Sequence, residues 1–155
     1  MHMRRYWLCK SEPEAYSWDR LVREKKGRWD GVRNHAAALH LRAMRVGDLC
    51  VFYHSTTGKE AVGIMRVTRT AYPDPTSFVV DASGARQPAP GQPKGDWVAV
   101  DVVPVHALAR PVPLAEIKSD AVLKKMEMVR QGRLSVSPVS AGEWKRLLAL
   151  SGTRA

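Results

Sequence analysis

Cysteine is nearly absent from this sequence: Cys9 and Cys50 are the only two in 155 residues. Two cysteines cannot make a disulfide framework, and each falls in an apolar run, so both read as reduced core residues. No stretch reaches the ~18 consecutive apolar residues of a membrane-spanning helix. Met1-His2-Met3-Arg4-Arg5 leads into a strand pattern instead of the apolar segment of a signal peptide. These absences predict a soluble, cytoplasmic protein with no membrane partner, read as a monomer. There is no Gly-x-Ser-x-Gly elbow, no phosphate-cradling glycine loop and no motif of paired carboxylates. His35 and His40 stand five apart, on different faces of a helix, and no Cys or carboxylate cluster has ligand spacing. Neither a metal site nor a cofactor is therefore expected, and nucleophilic catalysis is disfavoured. Acidic residues are scarce as well, 15 against 25 Lys and Arg, for a net charge of +10. A polyanion is the natural partner of such a chain.

The length fits one domain, residues 1–155, with enough chain to bury a core without staples. Its charge is uneven. Residues 1–55 carry +5, residues 56–114 carry +1 and residues 115–155 carry +4, so the basic excess sits at the two ends. Tyr6-Trp7-Leu8-Cys9 reads as a strand stopped by Pro13, and a short capped helix follows from Ser17 or Asp19 to about Glu24. Trp29 to Arg33 reads as a loop, and Asn34 as the cap of a helix with Ala37, Leu41 and Met44 at helical spacing. Leu49 to His54 and Ala61 to Thr70 form a hairpin pattern across Ser55 to Lys59. Residues 84–95, with three prolines and three glycines, read as one mobile surface loop. Trp97 to Ala107 alternates as a strand, two short helices follow within 114–129, and Arg133 to Ser137 reads as a late strand. Ser140-Ala141-Gly142-Glu143 is a capping box opening a last helix. Five or six short strands among short helices predict an α+β fold built as a small mixed β-barrel.

Trp29-Asp30-Gly31-Val32-Arg33-Asn34 is the most informative segment. Trp29 lies between charged residues instead of in an apolar run, which suits an indole that stacks on a planar ligand, at roughly 1–3 kcal/mol per base. Arg33 and Asn34 stand at a loop-to-helix junction, where free N–H groups and the helix dipole favour an anion. Arg33 either pairs with phosphate there or bridges to a carboxylate while Asn34 merely caps. Tyr53-His54-Ser55 ends a strand at its rim. Alternation sends Tyr53 and His54 to opposite faces, so His54 is a structural histidine or a ligand contact.

Five ordered motifs carry a resemblance covering nearly the whole chain, from Tyr6 to about Leu150. They are Tyr-Trp-Leu-Cys-Lys-Ser-Glu-Pro at 6–13, Trp-Asp-Gly-Val-Arg-Asn at 29–34, Gly-Asp-x-x-x-Phe-Tyr-His-Ser at 47–55, Tyr-Pro-Asp-Pro-Thr at 72–76 and Met-Val-Arg-Gln-Gly-Arg-Leu-Ser-Val at 128–136. Together they resemble the EVE domain, the family of the thymocyte nuclear proteins, in the PUA-like superfamily and related to the YTH readers of methylated adenine. The resemblance implies a compact β-barrel with a pocket for a modified base. Lys10 and Ser11 would line its entrance, with Trp29 as one wall and Val32 and Asn34 beside it. Tyr53, His54 and Ser55 would form the opposite wall, and Leu134 and Ser135 the floor or rim. Arg28, Arg33 and Arg133 would take the phosphates.

These features predict a non-catalytic reader that holds a flipped, modified base, a modified cytosine in DNA before any RNA target. Two rivals stand beside it. One is a small hydrolase acting on a modified nucleoside or nucleic acid, with Lys10, Glu12 and His54 as acid and base. The other is an interaction module for a small molecule or peptide end, separable because nucleic-acid binding weakens steeply with salt.

Overall fold

The structure is a computed structural model describing residues 3–154; Met1, His2 and Ala155, part of the single-domain reading and of the expected lead-in to the first strand, lie outside the described residues. Among the described residues the chain runs β1 (Tyr6–Ser11), α1 (Trp18–Glu24), β2 (Gly27–Trp29), α2 (His35–Ala43), β3 (Leu49–His54), β4 (Glu60–Pro73), β5 (Phe78–Val80), β6 (Arg86–Pro88), β7 (Val98–Pro113), α3 (Leu114–Ser119), a 3-10 turn at Leu123–Lys125, α4 (Glu127–Arg130), β8 (Val136–Val139) and α5 (Ala141–Ser151). Six strands form one sheet in the order β2-β7-β4-β3-β1-β8, and β5 pairs with β6 in a separate ribbon. Among the described residues only β1 and β3 run parallel; every other pairing is antiparallel.

Strand alternation builds two cores, one on each face of the sheet. Trp7, Cys9, Cys50 and Phe52 point to the face covered by Trp18 and Leu21 of α1 and Ala37 and Leu41 of α2. Leu8, Leu49, Val51 and Tyr53 point to the face covered by Ile117 of α3 and Trp144 and Leu147 of α5. Both cysteines are free and buried, as their apolar setting predicts. The caps read from the sequence are present. Ser17 Oγ accepts from Arg20 N–H, Asn34 Oδ1 from Ala37 N–H, and Ser140 with Glu143 completes a capping box. Asp120 caps the turn that follows it, accepting from the N–H of Val122 and Leu123.

The expected barrel is corrected. The sheet is open, ending in β2 on one side and β8 on the other, and these two strands do not pair. Closure requires a continuous ladder around the ring. Here the terminal strands are only three and four residues long, and Pro138 in β8 has no N–H to donate. Helix α2 packs against β8 instead.

Three local expectations also change. Trp29 belongs to a strand, paired with Val100 of β7, and not to a loop. The late strand begins at Val136, three residues beyond the expected start, while Leu134 N–H still bonds Gln131 C=O in a turn. The Pro/Gly-rich stretch 84–95 is not one loop, because Arg86–Pro88 pairs with Phe78–Val80 across a turn organised by Asp81. Among the described residues no helix is long and apolar enough to cross a membrane.

Candidate functional site

The two ends of the open sheet border a cleft of about 560 Å3. Edge strand β2 contributes Gly27, Arg28 and Trp29, and the loop after it Asp30 to Arg33. From the other end come Lys10 and Ser11, the last residues of β1, and Ser135, just ahead of β8. Tyr16, Arg20 and Glu24 also line it, from α1 and its lead-in. A closed barrel would have consumed this space.

Several hydrogen bonds fix the β1 side. Lys10 N–H donates to Ser135 C=O at 2.8 Å, and Lys10 Nζ to Gly132 C=O at 2.9 Å and Met128 C=O at 3.4 Å. Burial pushes the Lys10 ammonium below its ordinary pKa. Ser11 Oγ donates to Tyr16 C=O at 2.8 Å, bringing Tyr16 to the cleft. Trp29 is only 5% exposed and packs edge-on to Phe52, with ring centroids 5.1 Å apart. The expectation of an indole standing outside the core is thereby corrected, although a crevice does lie beside it. Val32, 6% exposed, is likewise a core residue at the cleft wall.

The loop from Asp30 to Arg33 is held from below by Asp74, whose carboxylate is fully buried. It accepts from Gly31 N–H at 2.8 Å, Arg33 Nη1 at 2.8 Å, Thr76 N–H at 2.8 Å and Thr76 Oγ at 2.7 Å. Burial raises the Asp74 pKa, but Thr76, Arg33 and the Gly31 N–H outweigh it and hold the carboxyl below the ordinary value. Arg33 also donates to Thr76 Oγ1 and, through Nε, to Gln92 Oε1 at 2.8 Å. The carboxylate bridge is therefore the arrangement the structure adopts for Arg33. Arg28 pairs with Asp30 at 2.8 Å, and Arg20 with Glu24 at 3.3 Å. Three of the four cations lining the cleft thus already face carboxylates.

Not every expected site residue converges here. Asn34 is exposed and spends its side chain capping α2. Tyr53 points into the opposite core from Trp29, so it cannot form the facing wall; burial pushes its hydroxyl up to about 12. His54 Nε2 accepts the N–H of Trp18 at 3.1 Å, completing the start of α1. Ser55 does not line the cleft, and its N–H donates to Ser11 C=O. Leu134 is buried in the core, and Arg133 is exposed away from the cleft lining. A single strand end cannot serve both faces, so Tyr53 is divided from His54, whose ring packs against Phe52 on the Trp29 side. Lys10 and Glu12 line the cleft, while His54, paired in register with Ser11, uses its Nε2 to accept the Trp18 N–H. Among the described residues no group of three or more His, Cys, Asp or Glu could hold a metal.

His54 gives a pH prediction. Burial lowers its pKa, against the opposing pull of Glu60, Asp19 and Glu14. A depressed folded pKa means the unfolded chain binds the proton more readily, so this contribution is full above about pH 6.5 and is lost as pH falls through the folded value. The melting temperature should drop further between pH 7.5 and 5 in the wild type than in His54→Ala. Parallel pH profiles would remove His54 from the start of α1.

Sequence reasoning missed Tyr16. Its hydroxyl oxygen is buried and has no hydrogen-bond partner among the described residues, and burial raises its pKa. A Cβ on Gly27 would meet this hydroxyl at 2.1 Å, so glycine there is what admits the ring. The only sequence signal was an aromatic in a polar lead-in, followed by a distant glycine with no visible reason to be one.

Comparison with known proteins places this geometry in a family. The EVE domain family model matches residues 5–150. Human thymocyte nuclear protein 1 is 34% identical over 165 residues, covering 94% of this chain and 73% of that protein. A solution structure of a Rhodopseudomonas palustris protein is 45% identical with a TM-score of 0.80, covering 96% of this chain and 93% of that one. The crystal structure of human THYN1 protein in complex with 5-methylcytosine-containing DNA is 32% identical with a TM-score of 0.83, covering 97% and 99%. By match length, identity and shared fold, the chain belongs to the EVE domain family.

Proposed function

We propose that this protein is a non-catalytic reader that takes a modified base of DNA, 5-methylcytosine first among candidates, into the cleft between β2 and the end of β1. The observation that carries the reading is a polar, aromatic-edged cleft of about 560 Å3 lined by Trp29 and by Tyr16, whose buried hydroxyl has no partner among the described residues. Binding pockets for small planar groups fall in this size range. An unmet buried donor is costly in the free protein and is satisfied when a ligand supplies the acceptor. The human relative solved with 5-methylcytosine-containing DNA supports the choice of base. Extruding a base costs a few kcal/mol, which the cleft must return through stacking and edge contacts.

Binding of otherwise identical oligonucleotides with cytosine or 5-methylcytosine tests this directly. Tighter binding of the modified strand is expected, and equal binding would refute the reader. Tyr16→Phe should move two quantities in opposite directions. Removing an unsatisfied buried hydroxyl should stabilise the free protein by about 1 kcal/mol, while losing a ligand hydrogen bond should weaken modified-strand binding by roughly fivefold. Unchanged affinity in a folded Tyr16→Phe protein would take that hydroxyl out of the site. Trp29→Phe, which keeps an aromatic in the core, should lower the preference for the modified base without unfolding the chain.

A further inference from the structure

The cleft cannot supply the electrostatic grip that a DNA reader needs. Its cations Arg20, Arg28 and Arg33 face Glu24, Asp30 and Asp74, and Lys10 is fastened to backbone carbonyls. Two other concavities have the opposite character. One, of about 880 Å3, lies between the β5–β6 ribbon and the adjoining parts of β4 and β7, and its charged lining is Arg42, Arg86, Lys94 and Asp96. The second, of about 570 Å3, is lined by Arg5, Arg42 and Arg45 with no carboxylate. They share Arg42 and Thr70, so they form one continuous surface carrying five cations and one acid. All five cations are exposed and none is in an ion pair among the described residues; Arg42 alone of them is tied to a backbone carbonyl, donating to Asp96 C=O, among the described residues.

Helix α2 connects this surface to the cleft. Its cap, Asn34, follows Arg33 at the cleft wall, and Arg42 lies in its last turn. Nine residues at 1.5 Å each span about 13 Å, close to four steps of a DNA strand at 3.4 Å. We infer that the Arg5–Arg45–Arg42–Lys94–Arg86 surface holds the sugar–phosphate backbone of DNA flanking the base in the cleft. This rests on the reader proposed above and assigns a division of labour: the cleft selects the base, and a separate basic surface one helix away supplies affinity. Unpaired cations suit that task because phosphate binding releases counterions without first breaking a protein ion pair. The rings of Phe78 and Tyr72 line the same groove, with Arg86 over Phe78 at 4.5 Å.

The double variant Arg45→Gln/Lys94→Gln tests the assignment, since neither side chain makes an ion pair among the described residues. Affinity for modified and plain oligonucleotides should fall together, by roughly 30-fold at 0.15 M salt. The slope of log K against log salt should shrink by about 1.8, at 0.9 per phosphate contact. The ratio of modified to plain binding should stay at the wild-type value. Lys118→Gln/Lys124→Gln, on exposed positions outside this surface, should change neither slope nor affinity beyond a few-fold. An unchanged slope in the first variant, or an equal loss in the second, would overturn the inference even if base discrimination stands. Absence of discrimination in the wild type would instead remove the reader while leaving the backbone surface measurable on plain DNA.

Discussion

Replacing Asp74 by alanine is expected to cost about 3–5 kcal/mol, the range for removing one partner of a buried ion pair. The carboxylate holds Arg33, Gly31 and Thr76 at once, and the Arg33 side chain is only 19% exposed. Its loss strands a cation against the core and frees the loop that forms one wall of the cleft. Stability measured by urea titration and affinity for a modified oligonucleotide should therefore fall together. The double variant Asp74→Ala/Arg33→Met should recover part of the stability, because it removes the stranded charge, but not the affinity, because the loop stays untethered. If Asp74→Ala binds normally once folded, the loop does not shape the site. Acid gives a second reading of the same network. Since the folded pKa is depressed, the contribution is full above the unfolded value near 3.9 and disappears as pH falls through the folded one.

Asp48→Ala should be comparably damaging to the fold and neutral to base selection in the cleft. This carboxylate is fully buried and accepts from Trp7 Nε1 at 3.0 Å, Arg5 N–H at 3.1 Å and Arg45 N–H at 3.0 Å. It ties the approach to β1 to the turn before β3, the one parallel pair in the sheet, which no hairpin could hold in register. Three donors left without this acceptor predict a loss of about 3 kcal/mol or more, read as a lower denaturation midpoint. The ratio of modified to plain binding per folded molecule should remain at the wild-type value, whereas overall affinity should fall, because Asp48 anchors the backbone of Arg5 and Arg45 on the basic surface. A lost preference for the modified strand in folded Asp48→Ala would connect it to the cleft after all.

Much of the architecture was legible locally. The alternation of Trp7, Leu8 and Cys9, the caps Ser17, Asn34 and Ser140, and the β3–β4 hairpin depend on residues only a few positions apart, and the structure has them all. Within the site, the motifs at 6–13 and 29–34 do meet at the cleft, whereas Tyr53-His54-Ser55 does not. Asp74 was visible only as a turn residue, because its partners Gly31 and Arg33 lie 43 and 41 positions away. Tyr16 was silent because its distinction is a missing partner, and absence of a contact leaves no mark on a sequence.

Composition and periodicity by themselves determined a basic, reduced, α+β chain with its motifs at the charged ends, since charge and hydrophobic spacing are properties of residues and near neighbours. Tertiary structure alone decided that the sheet stays open, that the opening is the cleft, and which arginines are free. Whether two short edge strands meet, and which distant carboxylate reaches a guanidinium, depends on how the whole chain packs. Local pattern carries no term for that distance.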